Sequence, residues 1–363
     1  MSFHSCAPHR SLVRAPEGAG RAGGSAKGRH FVVDFHCHVL SLAAEALVAD
    51  RAEKRAEPAL MLAAVGADSL AHNNAVMLPK AFPKLTRVEQ RLADMDAMGV
   101  DLQVISPSPS QYYYWSDPDL AKQIVQTQNE HIAETCARYP DRLVGLGTVA
   151  LQHPAIAAEQ LRDAVKRLGL KGVEISTAVN DMELGSPELA PFWLAAEELG
   201  AVVFIHPFGT TLGKRLSSYY LSNIIGQPLE TTIALSHLIF GGVLDRHPRL
   251  KIVAAHGGGY LPSYVGRSNH GHAVRPEAQK HASQQPGEYL RRIWFDTLVY
   301  EPQALRHLID AVGASQLVIG SDYPFDMGHN DPHGLLAATS GLTDADRAAI
   351  LGNNALSLLG MKI

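Results

Sequence analysis

The chain has 363 residues, 46% hydrophobic and 19% charged, with a formal net charge of -4. That length supports one large core, and the composition excludes a fibrous or disordered protein. The charges are spread along the chain without a basic stripe, so the electrostatic footprint of a nucleic-acid partner is missing. No apolar run reaches the roughly 18 residues of a membrane span, and the first 30 residues lack the apolar stretch of a secretory signal. No membrane is expected as a partner. The three cysteines, Cys6, Cys37 and Cys136, form no CxxC pair and leave an odd number. A disulfide framework is not expected, and a reducing, cytoplasmic setting is.

Residues 1–30, rich in Gly, Ala, Ser and Arg, are expected to form a flexible N-terminal extension. Their Pro and Gly oppose the amphipathic helix of a transit peptide. From residue 31 to 363 short β-rich runs alternate with longer helical patterns, the mark of repeated βα units around a parallel sheet. Eight such runs occur: Phe31 to Val39, Asp101 to Ser106, Leu143 to Leu151, Gly172 to Ser176, Val202 to His206, Lys251 to His256, Ile293 to Leu298 and Leu317 to Asp322. They predict an α/β fold, a (β/α)8 TIM barrel. The connection from Leu40 to Gly99 is far longer than an ordinary βα loop. It predicts a helical cap inserted between strands 1 and 2, over the barrel mouth. Between Asp119 and Tyr139, residues Leu120, Ile124, Ile132, Cys136 and Tyr139 recur at spacings that one helical face can hold. A second long insertion, Phe208 to Arg249, ends in a helix-like stretch from Leu229 to Leu244.

The polar residues carry the chemistry, because they fall at the C-terminal ends of otherwise apolar strands, where barrel enzymes build their sites. His36 and His38 close strand one, His206 strand five, His256 strand six and Asp322 strand eight. Residues two apart in a strand share a face, so His36 and His38 converge while Cys37 points away as a packing residue. With His206 and Asp322 they make a nitrogen and oxygen set suited to one divalent metal ion, zinc first and manganese as the alternative. His256, followed by Gly257, Gly258 and Gly259, reads as a general base, or else as a fifth ligand or a structural histidine. Asp296 either holds a ligand histidine or caps the following turn. Glu174 is left without a role, since a buried carboxylate paired with a cation would explain it. Tyr112 and Trp115, within Gln111-Tyr112-Tyr113-Tyr114-Trp115, either line an aromatic-ring pocket or pack beneath the cap.

The motifs Val33-Asp34-Phe35-His36-Cys37-His38, Val203-Phe204-Ile205-His206-Pro207, His256-Gly257-Gly258-Gly259 and Gly320-Ser321-Asp322-Tyr323-Pro324-Phe325 resemble the amidohydrolase-related family of aminocarboxymuconate-semialdehyde decarboxylase. The resemblance covers nearly everything after residue 30. It implies a metal held by His36, His38, His206 and Asp322, with His256 acting on metal-bound water. It also implies a homodimer or higher homo-oligomer in which Arg275 reaches a substrate carboxylate in the neighbouring subunit's site; an exposed surface charge is the plain alternative. The decarboxylase carries a further arginine in the cap, where this chain reads Leu78-Pro79-Lys80-Ala81-Phe82-Pro83-Lys84. Lys80 or Lys84 does not reproduce the arginine fork, so a different acid is expected as substrate. The reading is a nonoxidative decarboxylase of a hydroxylated aromatic or muconate-like carboxylic acid, with His256 and Asp322 moving protons. The alternatives are a hydrolase of a C–C, amide or lactone bond, a hydratase on the same site, and a noncatalytic metal-binding barrel.

Overall fold

The computed structural model describes residues 30–362. Apart from His30, the expected N-terminal extension lies outside the described residues, and so does Cys6. Eight parallel strands follow in chain order: β1 (Val33–Val39), β2 (Leu102–Pro107), β3 (Leu143–Gly145), β4 (Gly172–Ile175), β5 (Val202–Ile205), β6 (Lys251–Ala254), β7 (Trp294–Asp296) and β8 (Leu317–Val318). They form two ladders, β1-β2-β3 and β8-β7-β6-β5-β4. The two ladders meet through isolated parallel bridges, Asp34 with Ile319 and Cys37 with Tyr323 on one side, Gly147 with Val173 on the other. Backbone bonds reinforce these seams, with Phe35 N donating to Ile319 O at 2.7 Å and Glu174 N to Gly147 O at 2.8 Å. The α/β pattern of the sequence is therefore met, with a hydrogen-bond ladder that is interrupted at two seams.

Alternation along the strands divides the apolar side chains. Val33, Phe35, Val104, Leu146, Phe204, Val253 and Val318 pack with one another on the face the strands turn inward, closed at one end by Ala355 and Leu358 of the last helix. Cys37, Val39, Ile105, Val173, Val203, Ile205 and Ile252 face the helices instead. Strand β1 breaks strict alternation. Its register against β2 shifts between Asp34 and Cys37, an extra residue that lets His36 and His38 follow Phe35 on the inward side. His36 and Phe35 accordingly both touch the Phe204 ring, with centroids 4.9 and 6.0 Å away.

Strands β3 to β8 end earlier than the sequence pattern suggests, whereas β1 ends where expected and β2 runs one residue further. His206, His256 and Asp322 each lie just past a ladder, and His256 and Asp322 hold φ of 56° and 57°, a left-handed conformation that turns the chain out of the sheet. The connection before β2 contains five α-helices, Leu42–Val48, Ala52–Val65, Ala67–His72, Leu78–Thr86 and Val88–Met98. The stripe beginning at Leu120 is the helix Pro118–Arg138, started by Asp117, whose carboxylate accepts from Asp119 N and Leu120 N. The later insertion ends in Gln227–Phe240 and Val243–Arg246. Among the described residues no helix is long and apolar enough to cross a membrane.

Candidate active site

Within the last residues of β1 and just past the ends of β5, β6 and β8, four imidazoles and one carboxylate crowd together. Ligand atoms of His36, His206, His256 and Asp322 lie within 4.8 Å of one another. His38 adjoins them, its Nε2 standing 3.2 Å from His36 Nε2 and 3.2 Å from Asp322 Oδ1. His36 Nε2 is 3.3 Å from the same oxygen, and His256 Nε2 is 3.8 Å from Asp322 Oδ2. All five residues expected at the centre are thus brought together.

Each of the paired histidines is oriented from behind. His36 Nδ1 lies 2.7 Å from Asp296 Oδ2, and His38 Nδ1 lies 3.2 Å from the Pro107 carbonyl and 3.5 Å from Glu174 Oε2. These contacts leave both Nε2 atoms aimed at the common centre. Asp296 does more than hold His36: it also accepts from the backbone N–H of His256 at 2.9 Å, Gly257 at 2.8 Å and Leu298 at 3.1 Å. One side chain thus both holds His36 and caps the following turn. Glu174 has no Lys or Arg partner among the described residues; it accepts from Ser106 Oγ at 2.5 Å and from the Tyr112 hydroxyl at 2.6 Å.

The glycines allow this crowding. A Cβ on Gly320 would stand 2.6 Å from Asp296 Cβ and 2.9 Å from His36 Cβ. Any side chain there would push the pair apart. Gly259, at φ +64°, passes so close to Pro228 that a Cβ would lie 2.0 Å from its carbonyl oxygen.

The electrostatics favour a cation. Burial, followed by the neighbouring imidazoles, holds His206 well below its ordinary value, so it presents lone pairs. Burial opposes the charge on His36, yet Asp322 and Asp296 lift it to about 10. Burial likewise opposes ionisation of Asp322, but His36 and its neighbours keep it well below the usual carboxylate range. Both ring nitrogens of His206 and Nδ1 of His256 are buried without a hydrogen-bond partner. Buried polar atoms left unpaired cost about 1–3 kcal/mol each, and imidazole nitrogens converging with a carboxylate oxygen are the donor set that a divalent ion satisfies.

The expected substrate residues divide. Tyr112 is buried behind the cluster, its hydroxyl also 3.2 Å from the His206 carbonyl, with its ring stacked on Tyr114 at 5.4 Å. Trp115 packs edge-on against Tyr113, 5.7 Å away, beside Val48, Leu120 and Ile124. Arg275 stands on the surface at the end of the helix Leu261–Val274, where its Nε donates to Glu277 Oε1 at 2.7 Å. Within the single chain it is apart from the cluster. Lys80 is exposed, while Lys84 pairs with Asp94 at 2.9 Å.

Several neighbours escaped the sequence reading. Phe325 lies against the His38 ring at 5.6 Å, and Phe208, 47% exposed, against Tyr112 at 6.5 Å. Burial, then Asp326 and Asp322, push the Tyr220 hydroxyl up to about 12; burial, then Asp322 and Asp296, raise that of Tyr300. Nothing in their sequence surroundings marks them except, for Phe325, its place three residues after Asp322.

Residues 33–361 match the amidohydrolase family. The chain belongs to that family. It is 36% identical over 272 residues to a 2-amino-3-carboxymuconate-6-semialdehyde decarboxylase of Dictyostelium discoideum, covering 75% of this chain and 76% of that one. The crystal structure of 5-carboxyvanillate decarboxylase from Sphingomonas paucimobilis superposes with a TM-score of 0.78 at 26% identity, over 92% of this chain and all of the other. The 5-carboxyvanillate decarboxylase of Novosphingobium aromaticivorans, complexed with manganese and 4-hydroxy-3-methoxy-5-nitrobenzoic acid, superposes with a TM-score of 0.80 at 21% identity, covering 92% and 96% of the two chains. The resemblance read from the four motifs is met by the family match and by relatives that are decarboxylases.

Proposed function

We propose that this amidohydrolase is a metal-dependent nonoxidative decarboxylase of a hydroxylated aromatic or muconate-like carboxylic acid. The observation that carries the reading is the cluster of His36, His206, His256 and Asp322, whose ligand atoms lie within 4.8 Å of one another, with His38 Nε2 3.2 Å from Asp322. The eight strands then constitute a (β/α)8 barrel over residues 31–363, and the helices between Leu42 and Met98 cap its mouth.

His36, His38, His206 and Asp322 would hold one divalent ion, with zinc preferred on donor chemistry and manganese supported by the Novosphingobium relative. When bound, that ion polarises a substrate oxygen and stabilises the electron density left as carbon dioxide departs. Decarboxylation exchanges a carboxylate for a proton at carbon, so the chain must deliver one proton there. His256 and Asp322, 3.8 Å apart, would hold and pass it. Tyr112 closes the site from behind through Glu174 and the His206 carbonyl, and the rings of Phe325 and Phe208 offer apolar walls to a flat acid. Arg275 would bind the substrate carboxylate only from a partner subunit, which its surface position permits. The protein is read as a cytoplasmic homodimer or higher homo-oligomer acting on a small-molecule carboxylic acid.

Purified protein loaded with zinc or manganese and given hydroxybenzoic and muconate-type acids should release carbon dioxide stoichiometrically with loss of substrate. Products carrying added water, with no carbon dioxide, would instead establish the hydrolase or hydratase reading.

A further inference from the structure

Behind the metal cluster a second buried polar chain joins the cap to both ligand-bearing segments. Asp34, fully buried in β1, accepts from Ser321 N at 3.0 Å, Ser321 Oγ at 2.5 Å and Gln103 Nε2 at 3.2 Å. Ser321 immediately precedes Asp322, and its Oγ in turn accepts from Tyr323 N at 3.2 Å. Gln103, also fully buried, is a bridge, because its Oε1 accepts from Arg91 at 2.9 Å.

Arg91 is the unusual member. It comes from the cap helix Val88–Met98 and is only 2% exposed, yet among the described residues no carboxylate pairs with it. Its acceptors are neutral: the Gln103 amide, the His38 carbonyl and, at 3.4 Å, the Lys84 carbonyl. Its guanidinium lies 4.8 Å from the centroid of the Tyr323 ring, whose hydroxyl donates to Asp94 on the same cap helix at 2.8 Å. A buried guanidinium without a counter-ion is costly, and an apolar residue would fill the space at less expense. The planar fork and flat face are used together here, one on the β1 backbone and the other on the β8 loop.

We infer that Asp34, Gln103 and Arg91 are positioning residues that fix His36–His38 and Asp322 relative to one another, so that the cap helix sets the geometry of the metal ligands. This rests on the metal-site reading above. None of the three touches the reacting centre. They act on the backbone that carries it: Asp34 and Ser321 lock β1 to the β8 loop, and Arg91 ties the His38 carbonyl to the cap. Groups that orient ligands from behind govern affinity through the precision of the donor set.

The test is titration of metal-free protein with Co2+, read as a dissociation constant and as the visible absorption spectrum of the bound ion. Gln103→Leu, Ser321→Ala and Arg91→Met should each bind Co2+ about 10–100-fold more weakly and shift the spectrum, while the metal-free fold by circular dichroism stays that of the parent. Ser321→Thr, which keeps the hydroxyl, should stay close to the parent. Unchanged affinity and spectrum in all three would overturn the inference. Should Gln103→Leu or Arg91→Met fail to fold, Ser321→Ala decides, since it deletes one hydroxyl and leaves the backbone donor to Asp34 in place. A parent protein that binds no Co2+ would overturn the metal-site reading itself, whereas a binding parent with unaffected variants overturns only the positioning role.

Discussion

Asp296 shows how one buried carboxylate can serve a site twice, orienting the His36 ring while tying down the turn that carries His256. Replacing it with Asn keeps the shape and removes the charge, and metal affinity should fall about 10–100-fold in a chelator competition; unchanged affinity would leave Asp296 as a turn cap alone. His256 is tested by separating binding from turnover. With His256→Asn, metal content should hold while kcat falls by about 10²–10⁴. Loss of the metal together with activity would instead make His256 a fifth ligand, which its place among the four converging residues makes a real alternative. At this scale the sequence showed His36, His38, His206, His256 and Asp322, because ionisable residues at the ends of apolar strands are conspicuous. It left Glu174 without a role, since a hydroxyl pair from Ser106 and Tyr112 cannot be foreseen from residues more than 60 positions away.

Among the elements, the segment after β2 divides between site and scaffold. Tyr112 faces the cluster, whereas Tyr113 donates to Glu45 of the helix Leu42–Val48 and Trp115 packs against the Tyr113 ring. Trp115→Ala should therefore destabilise the fold by about 2 kcal/mol, less than a fully buried Trp, and leave KM unchanged; a raised KM at normal stability would return Trp115 to the substrate pocket. Gly320→Ala offers the converse test of close packing. The added methyl would force Asp296 and His36 apart, so bound metal should fall well below the parent's, measured by elemental analysis. The shift in register within β1 had no sequence signature. Period-two alternation correctly paired His36 with His38, but only the strand pairing shows how Phe35 and His36 come to share the Phe204 ring.

Over the whole molecule, stability and assembly carry their own tests. Asp245 secures the segment before β7 by accepting from Ser283 N at 2.8 Å, Ser283 Oγ at 2.9 Å and the Tyr289 hydroxyl at 2.6 Å. Burial opposes its ionisation, but these bonds hold its carboxyl below the ordinary 3.8. Because the folded value is the lower one, the stabilisation is present above pH 3.8 and is lost as pH falls through the folded value. Asp245→Asn should reduce the melting temperature at neutral pH and flatten its fall in acid; parallel curves for parent and variant would discount the group. Assembly is tested by sizing the protein and by mixing Arg275→Ala with His256→Ala subunits. Activity that returns only on mixing places Arg275 in a shared site, and no recovery leaves it the surface partner of Glu277. The sequence by itself determined the α/β order of elements, the family and the residues of the cluster, because strand ends, HxH spacing and glycine runs are local signals. Tertiary structure decided what surrounds them: the bulge that aims His36, the two carboxylates behind the paired histidines, and the buried Asp34, Gln103 and Arg91 chain. Those depend on contacts between residues up to 287 positions apart, which no local pattern encodes.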